Sequence, residues 1–200
     1  MIRILMIRHG ETSLLGHTLY GRMPGVQLSS QGERTVGALA RALSERVVLN
    51  EIVSSPLERA LQTARFIAKS QHLPITTEEG VNELDFGSWM GKGFDELAGL
   101  AEWKKYNALR SICSPPGGEF MLQVQSRAWR AVERILERHQ GAEDASVAIV
   151  THGDVVRGLL LLLLGMPIDF INRLEVAPAS VSEIQFQEGH PKVIFVNQTF

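Results

Sequence analysis

The chain has 200 residues, 44% of them hydrophobic and 21% charged, with a formal net charge of -2 from 20 basic and 22 acidic side chains. That length suits one domain with one sizeable core, the apolar share argues against disorder, and the near-neutral balance gives no reason to expect nucleic acid or an anionic membrane as partner. The single cysteine, Cys113, excludes an internal disulfide framework and fits a reducing, cytoplasmic setting; the N-terminus lacks the signal-peptide pattern, and the longest greasy run, Leu159 to Leu164, is far below the roughly 20 residues that span a bilayer.

Ile2 to Ile7 reads as a strand buried on both faces, because its apolar positions do not alternate cleanly with polar ones. It runs into Arg8-His9-Gly10-Glu11-Thr12. A histidine between an arginine and a glycine at a strand end is ill suited to packing and well suited to holding and attacking an anion. Residues 13–28, with Gly16, Gly21, Pro24 and Gly25, read as a loop. Ser30-Gln31-Gly32-Glu33 has capping-box form and opens a helix with Val36, Leu39, Ala40, Leu43 and Val47 at helical spacing. Ile52-Val53 is a short strand. Ser55, Pro56 and Glu58 then suit an N-cap, a first helical position and a capping box, for a helix burying Leu57, Ala60, Leu61, Ala64, Ile67 and Ala68. Arg59 falls in its first turn, near the positive end of the helix dipole.

Leu73 to Thr76 is another short strand, 79–95 an irregular segment carrying Glu83 and Asp85, and Leu97 to Leu109 a helix. Ser114 to Gly118, with two prolines and two glycines, breaks the chain before a long helix with Phe120, Val124, Ala128, Ala131, Val132, Ile135 and Leu136 on one face. The apolar run Val147 to Thr151 repeats the opening theme, ending in His152-Gly153-Asp154. A helix from about Val155 to Leu164 follows, ended by Gly165 and Pro167. Ile184 to Phe186 and Val193 to Val196 close the chain as two strands separated by Glu188-Gly189-His190-Pro191, and their hairpin offers an edge for pairing in a homodimer.

Strands alternating with helices, and no linker that divides the chain, predict one α/β domain over residues 1–200: a three-layer α/β/α sandwich around a mostly parallel sheet. The polar clusters at 8–12, 54–59 and 152–154 each follow a strand, and ligands bind beyond the carboxyl ends of strands in such sheets. Arg8 and Arg59 offer planar donor forks to a phosphate or a carboxylate, with backbone N–H groups near Gly10 and Gly153 adding to them. His9 is a candidate nucleophile that would form a phosphohistidine, and Glu83 or Asp85 can supply the acid for the leaving oxygen. His9, Glu11, His152 and Asp154 are also metal-ligand types, but two arginines at the same place would repel a cation, so no metal is expected. His17, His72, His139 and His190 read as surface residues, Trp89, Trp103 and Trp129 as packing residues, and Cys113 as an ordinary thiol.

These residues resemble the histidine phosphatase superfamily, the phosphoglycerate mutase-like group with the Arg-His-Gly motif. Arg8 to Thr12, Leu28 to Gly32, Ser54 to Ala60 with Gln62-Thr63-Ala64, Glu83 to Trp89 and Thr151 to Gly153 match its motifs in order. The resemblance implies His9 as the phosphorylated nucleophile, Glu83 as proton donor and later base, and His152 as a catalytic partner. Arg8, Arg59, Gly10, Thr12, Gly21 and Gly153 would hold the phosphate ester, with neither metal nor organic cofactor. Leu15, Gly25 and Met90 stand where many members carry Asn, Asp and Glu. The acid loop reaches Pro115-Pro116-Gly117-Gly118 quickly and the chain ends soon after its last strand, whereas mutases of this group carry an insertion and a covering tail. An open site admits water, so the expectation is a cytoplasmic, metal-independent phosphomonoesterase acting on a small phosphorylated metabolite. A phosphoglycerate mutase-type phosphomutase and a non-catalytic phospho-ligand binding module are the alternatives.

Overall fold

The structure, a computed structural model, describes residues 1–188 and 190–200; Gly189 of the expected final turn lies outside them. A six-stranded sheet carries β1 (Ile2–Arg8), β2 (Glu51–Ser54), β3 (Ile75–Thr77), β4 (Ala145–Thr151), β5 (Val181–Gln187) and β6 (His190–Gln198) in the order β3-β2-β4-β1-β5-β6. The pairs β3/β2, β2/β4 and β4/β1 are parallel, and β5 and β6 add an antiparallel edge. The helices are α1 (Ser30–Arg46), α2 (Glu58–Gln71), the short α3 (Phe94–Ala98) and α4 (Ala101–Ala108), α5 (Met121–Arg138) and α6 (Gly153–Leu163). None of them is long and apolar enough to cross a membrane.

The unbroken apolar runs of β1 and β4 follow from the three layers. Leu5, Ile7, Ala148 and Val150 face one core with Val36, Leu39 and Leu43 of α1 and Ala60, Ala64 and Ile67 of α2. Ile4, Met6, Val147 and Ile149 face a second core with Val124, Ala128 and Val132 of α5 and Val155 and Leu159 of α6. A strand covered on both faces has no solvent side to mark with polar residues.

Several boundaries differ from the sequence-based expectation. Ser29, not Ser30, caps α1: its Oγ accepts from Gly32 N at 3.0 Å and donates to Glu11 Oε1 at 2.9 Å, so the cap also ties the helix to the segment after β1. α2 starts at Glu58 after Leu57, which has no side-chain cap bond; Ser55 Oγ accepts from His152 Nε2 at 2.7 Å and from Leu57 N at a long 3.4 Å, and the Glu58 carboxylate accepts from Gly25 N. The helix expected from Leu97 to Leu109 is broken at Gly99 and Leu100, where glycine weakens helix by about 1 kcal/mol and Leu100 is extended. Phe120 is the N-cap of α5 and is 40% exposed rather than on its buried face. His139 is half-buried and pairs with Glu51 at 2.9 Å, so it is not a free surface histidine.

Strand register decides where the chemistry sits. Arg8 of β1 lies opposite Thr151 of β4, and Ser54 of β2 opposite Val150. His9, His152 and Ser55 therefore leave three adjacent parallel strands at one level.

Candidate active site

His9 and His152 meet with ring centroids 5.2 Å apart, both essentially fully buried. Arg59, also fully buried, reaches between them from the first turn of α2. Its Nε donates to His9 Nε2 at 3.1 Å, and its Nη2 lies 3.2 Å from His152 Nδ1 and donates to the Gly21 carbonyl at 2.7 Å. A guanidinium only donates, so both imidazole nitrogens that face it accept. His9 must then carry its proton on Nδ1, which donates to the Gly10 carbonyl at 2.7 Å. His152 carries its proton on Nε2, which donates to Ser55 Oγ at 2.7 Å. Burial and the charges of Arg59 and Arg8 hold the His9 imidazole well below its ordinary pKa, and burial with Arg59 and His9 does the same for His152. Both rings are neutral, and the His9 lone pair points into the site.

Beside the imidazoles two cationic N–H groups are left over. Arg8 donates through Nη1 to the Val176 carbonyl at 2.6 Å, but its buried Nε has no partner, and neither has the buried Nη1 of Arg59. An unpaired buried donor costs roughly 1–3 kcal/mol, more for a charged group. An anion with several oxygens would relieve both. Arg59 also stacks over Tyr20, 4.8 Å from its ring centre. The first residue of α6, Gly153, sits against Arg8, and this helix start carries no side-chain cap, which leaves its positive end available to an anion.

Glu83 borders this arrangement, its Oε2 4.0 Å from His152 Nδ1 and its Oε1 accepting from Leu84 N at 2.9 Å. Burial raises its pKa to about 7 and the Asp154 charge adds to this, against the opposing pull of Arg59. Asp154 goes the other way: burial favours its neutral form, but Arg110 at 2.9 Å and Arg157 at 3.3 Å outweigh it and keep the carboxyl ionised. Two neighbouring carboxyl groups are thus driven apart, one toward an acid usable near neutral pH and one toward a permanent anion.

The cleft holds about 150 Å3 and is lined by Arg8, His9, Tyr20, Gly21, Glu83 and Gly153 near the imidazoles, with Leu15, Leu19, Phe86 and Phe94 as an apolar wall. A wider groove of about 630 Å3 beside Leu136, His139 and Phe186 brings no arginine to its lining. Chemistry, not volume, locates the site.

Most of the residues marked in the sequence converge, but five take other parts. Gly10 offers no free N–H, since Thr63 Oγ1 accepts from it at 3.0 Å; its carbonyl sets the His9 tautomer instead. Thr12 is buried, its Oγ1 without a partner, and it does not line the cleft. Gly21 lines the cleft with its carbonyl turned to Arg59. Asp85 accepts from Gly87 N rather than reaching the imidazoles. Glu11 accepts from Ser29 Oγ. Of the departures from the family pattern, Leu15 joins the apolar wall, Gly25 donates its N–H to Glu58, and Met90 is exposed. Ser55, Tyr20, Thr63 and the Arg110–Asp154–Arg157 cluster complete the site, and nothing in the sequence singles them out for these contacts. Among the described residues, no group of three or more His, Cys, Asp or Glu side chains has an arrangement that could hold a metal ion.

Gly21 gives a test of the geometry. Its φ is +44°, and an added Cβ would lie 2.7 Å from Phe86 Cδ2. Gly21→Ala is expected to destabilise by about 1–3 kcal/mol, lowering the melting temperature by roughly 2–10 °C. An unchanged melting curve would show that the loop relaxes without strain.

Imidazoles and arginines gathered past the ends of parallel strands define an anion-binding α/β domain. Residues 4–199 match the model of the histidine phosphatase superfamily (branch 1), and the chain belongs to that family, whose members are phosphatases and phosphomutases. It is 30% identical over 194 residues to the probable phosphoglycerate mutase GpmB of Salmonella choleraesuis, covering 94% of this chain and 87% of that one. Its fold is similar to that of Bacillus stearothermophilus YhfR, at TM-score 0.92 and 28% identity, over 100% of this chain and 98% of that one. It is also similar to phosphoserine phosphatase from Entamoeba histolytica in complex with phosphoserine, at TM-score 0.87 and 25% identity, over 99% and 98%. The chain spans about half (54%) of the length of curated mycobacterial relatives to which it is 35% identical.

Proposed function

We propose that this domain is a metal-independent phosphomonoesterase that works through a phosphohistidine on His9. The observation that carries the reading is the pair of buried, unpartnered guanidinium N–H groups, Arg8 Nε and Arg59 Nη1, beside a neutral imidazole that carries its proton on Nδ1 and, on Nε2, a lone pair that accepts from Arg59 Nε. The phosphoryl oxygens would take these donors together with the N–H groups at the start of α6. His9 Nε2 then attacks phosphorus; a P–N bond forms, the ester P–O bond breaks, and protonated Glu83 gives its proton to the departing oxygen. Glu83, now ionised, takes a proton from water as that water attacks phosphorus. The P–N bond breaks, inorganic phosphate leaves and His9 is regenerated. Arg8 and Arg59 offset the charge that builds on the equatorial oxygens.

Three observations favour a small ester with one phosphoryl group. The cleft is below the roughly 300–1,000 Å3 common for larger ligands. Its far wall is apolar at Leu15, Leu19, Phe86 and Phe94. Beside the imidazoles the buried N–H groups without a partner are Arg8 Nε and Arg59 Nη1, enough for one phosphoryl group, while Arg157, which also lines the cleft, and Arg110 pair with Asp154. The metal-independent reading rests on Arg59, which takes the lone pair of each imidazole that would otherwise coordinate. The relatives named for phosphoserine phosphatase and phosphoglycerate mutase make small phosphorylated acids the first compounds to try.

The experiment is phosphate release from a panel of phosphoserine, 3-phosphoglycerate, sugar phosphates and mononucleotides in EDTA. Release that EDTA leaves unchanged is expected. Conversion of 3-phosphoglycerate to its 2-isomer without release would replace the reading with a mutase, and EDTA-abolished activity would replace it with a metal mechanism.

A further inference from the structure

Among the described residues no charged group bonds the Glu83 side chain; its Oε1 accepts from the neighbouring Leu84 N–H. Its place is set through its backbone. The Glu83 carbonyl accepts from Arg22 Nε at 2.7 Å and from Arg127 Nη2 at 2.9 Å. Arg22 comes from the loop before α1 and Arg127 from the second turn of α5. Two guanidinium groups on one carbonyl would repel each other, and one carboxylate lies between them. Glu119 Oε2 accepts from Arg22 Nη2 at 2.9 Å and from Arg127 Nη2 at 3.0 Å, and its Oε1 accepts from Arg127 Nε at 2.8 Å. Arg127 also donates through Nη1 to the carbonyls of Gly80 and Asn82, at 2.8 and 2.6 Å, so it gathers the segment leading into Glu83.

The segment that carries Glu119 is sewn to the other side of the same loop. Glu119 N donates to the Asp85 carbonyl at 2.9 Å and Ser88 N to the Pro116 carbonyl at 3.0 Å. Gly87, at φ +51°, lies so close that a Cβ would meet Pro116 O at 2.3 Å. The Pro115-Pro116-Gly117-Gly118 break thus acts as the platform on which the acid-bearing loop rests, and Glu119 is its one anion bonded to both arginines.

We propose that Glu119 is a positioning residue for the proton donor: by joining Arg22 to Arg127 it fixes the Glu83 backbone, and through it the carboxyl, at the distance the leaving oxygen requires. This role rests on the reading of Glu83 as the acid of a phosphatase. Proton transfer fails steeply when donor and acceptor are misplaced by about an ångström, so loosening the clamp removes acid catalysis while the nucleophile and the phosphate pocket stay in place.

The leaving group separates this role from a general structural one. An aryl phosphate such as p-nitrophenyl phosphate expels a stable anion and needs little protonation; an alkyl phosphate such as glycerol phosphate needs the acid. The measurement compares kcat on both esters for wild type, Glu119→Gln, Glu83→Gln and the double variant. Glu119→Gln is expected to lose about tenfold or more on the alkyl ester and less than about threefold on the aryl ester. In the Glu83→Gln background it should cost nothing further on the alkyl ester, because the acid it positions is gone. Equal losses on the two esters, or a full additional loss in the double variant, would overturn the role and leave Glu119 as structural support. Wild-type protein that releases phosphate from neither ester would overturn the functional reading beneath it, and the role with it.

Discussion

His9→Ala is expected to lower phosphate release by at least about 10⁴-fold on every ester and to leave no covalent phosphoenzyme. Without the imidazole no P–N bond can form, and what remains is direct attack by water on an ester held between Arg8 and Arg59. The fold should survive. The substitution leaves Arg59 Nε without its acceptor, a loss of roughly 1–3 kcal/mol, which melting curves would register as a modest shift. Labelling with a phosphate ester and quenching at alkaline pH, because phosphohistidine is acid-labile, reads the intermediate directly. Label on the wild type and none on His9→Ala is the expected pair. Label that persists in the variant would move the nucleophile to another residue, and label on neither, with tight binding of the ester, would turn the domain into a phospho-ligand binding module.

Glu83→Gln should separate activity from stability. With its pKa raised to about 7 by burial and by Asp154, Glu83 is protonated below neutrality and loses its proton above it. As the acid of the first step it makes kcat/KM for an alkyl ester fall as pH rises through about 7. In Glu83→Gln that limb should vanish and the rate should fall about 10²–10⁴-fold. The substrate's own second ionisation, near about 6, appears in both profiles, so the difference between them isolates Glu83. The stability effect has the opposite sign. The unfolded chain ionises this carboxyl from about 4.5 upward, whereas the folded chain keeps it neutral to about 7. Folding stability therefore declines between those values and levels off above them, by about 3 kcal/mol in all. Glu83→Gln escapes that decline, so above pH 7 it should melt higher than wild type. A variant no more stable at pH 8, with an unaltered alkaline limb, would mean that Glu83 is not the group titrating.

Both expectations depend on residues visible in the sequence, and the reason is physical. An apolar run without alternation means a strand buried on both faces, and a histidine beside an arginine and a glycine at its end has no packing purpose. The strands expected at 2–7 and 147–151 and found at 2–8 and 145–151, with His9 and His152 past their ends, were legible for that reason; the helices at 30–46 and 121–138 and the place of Arg59 were legible from helical spacing and capping pattern, whereas Glu83 stood beside Asp85 as a candidate acid until the family resemblance singled it out. The boundaries that failed are those where a side chain had a better partner far away. Ser55 has the form of a helix cap but is committed to His152, 97 positions on, so α2 begins uncapped. Gly10 and Thr63 meet across 53 positions, which turns an expected ligand N–H into part of the frame behind His9. Leu97 to Leu109 has helical spacing, and the break at Gly99 and extended Leu100 leaves Leu97 and Tyr106 in the core on either side of it.

By itself the sequence determined the alternating α/β order, the burial of the central strands, the anion-binding character of the strand ends and membership of a family that its motifs mark, because each follows from local pattern and side-chain chemistry. Only the tertiary structure decided the rest. Register set His9 opposite His152. Arg59, wedged between them, fixed both tautomers. Burial combined with Asp154 raised Glu83, while Arg110 and Arg157 held Asp154 ionised. Glu119 acquired two arginines that also donate to the Glu83 carbonyl. Tautomers, pKa values and clamps are properties of distance between charges, and the distance between groups 93 positions apart, as Arg59 and His152 are, or 97, as Arg22 and Glu119 are, exists only once the sheet has formed.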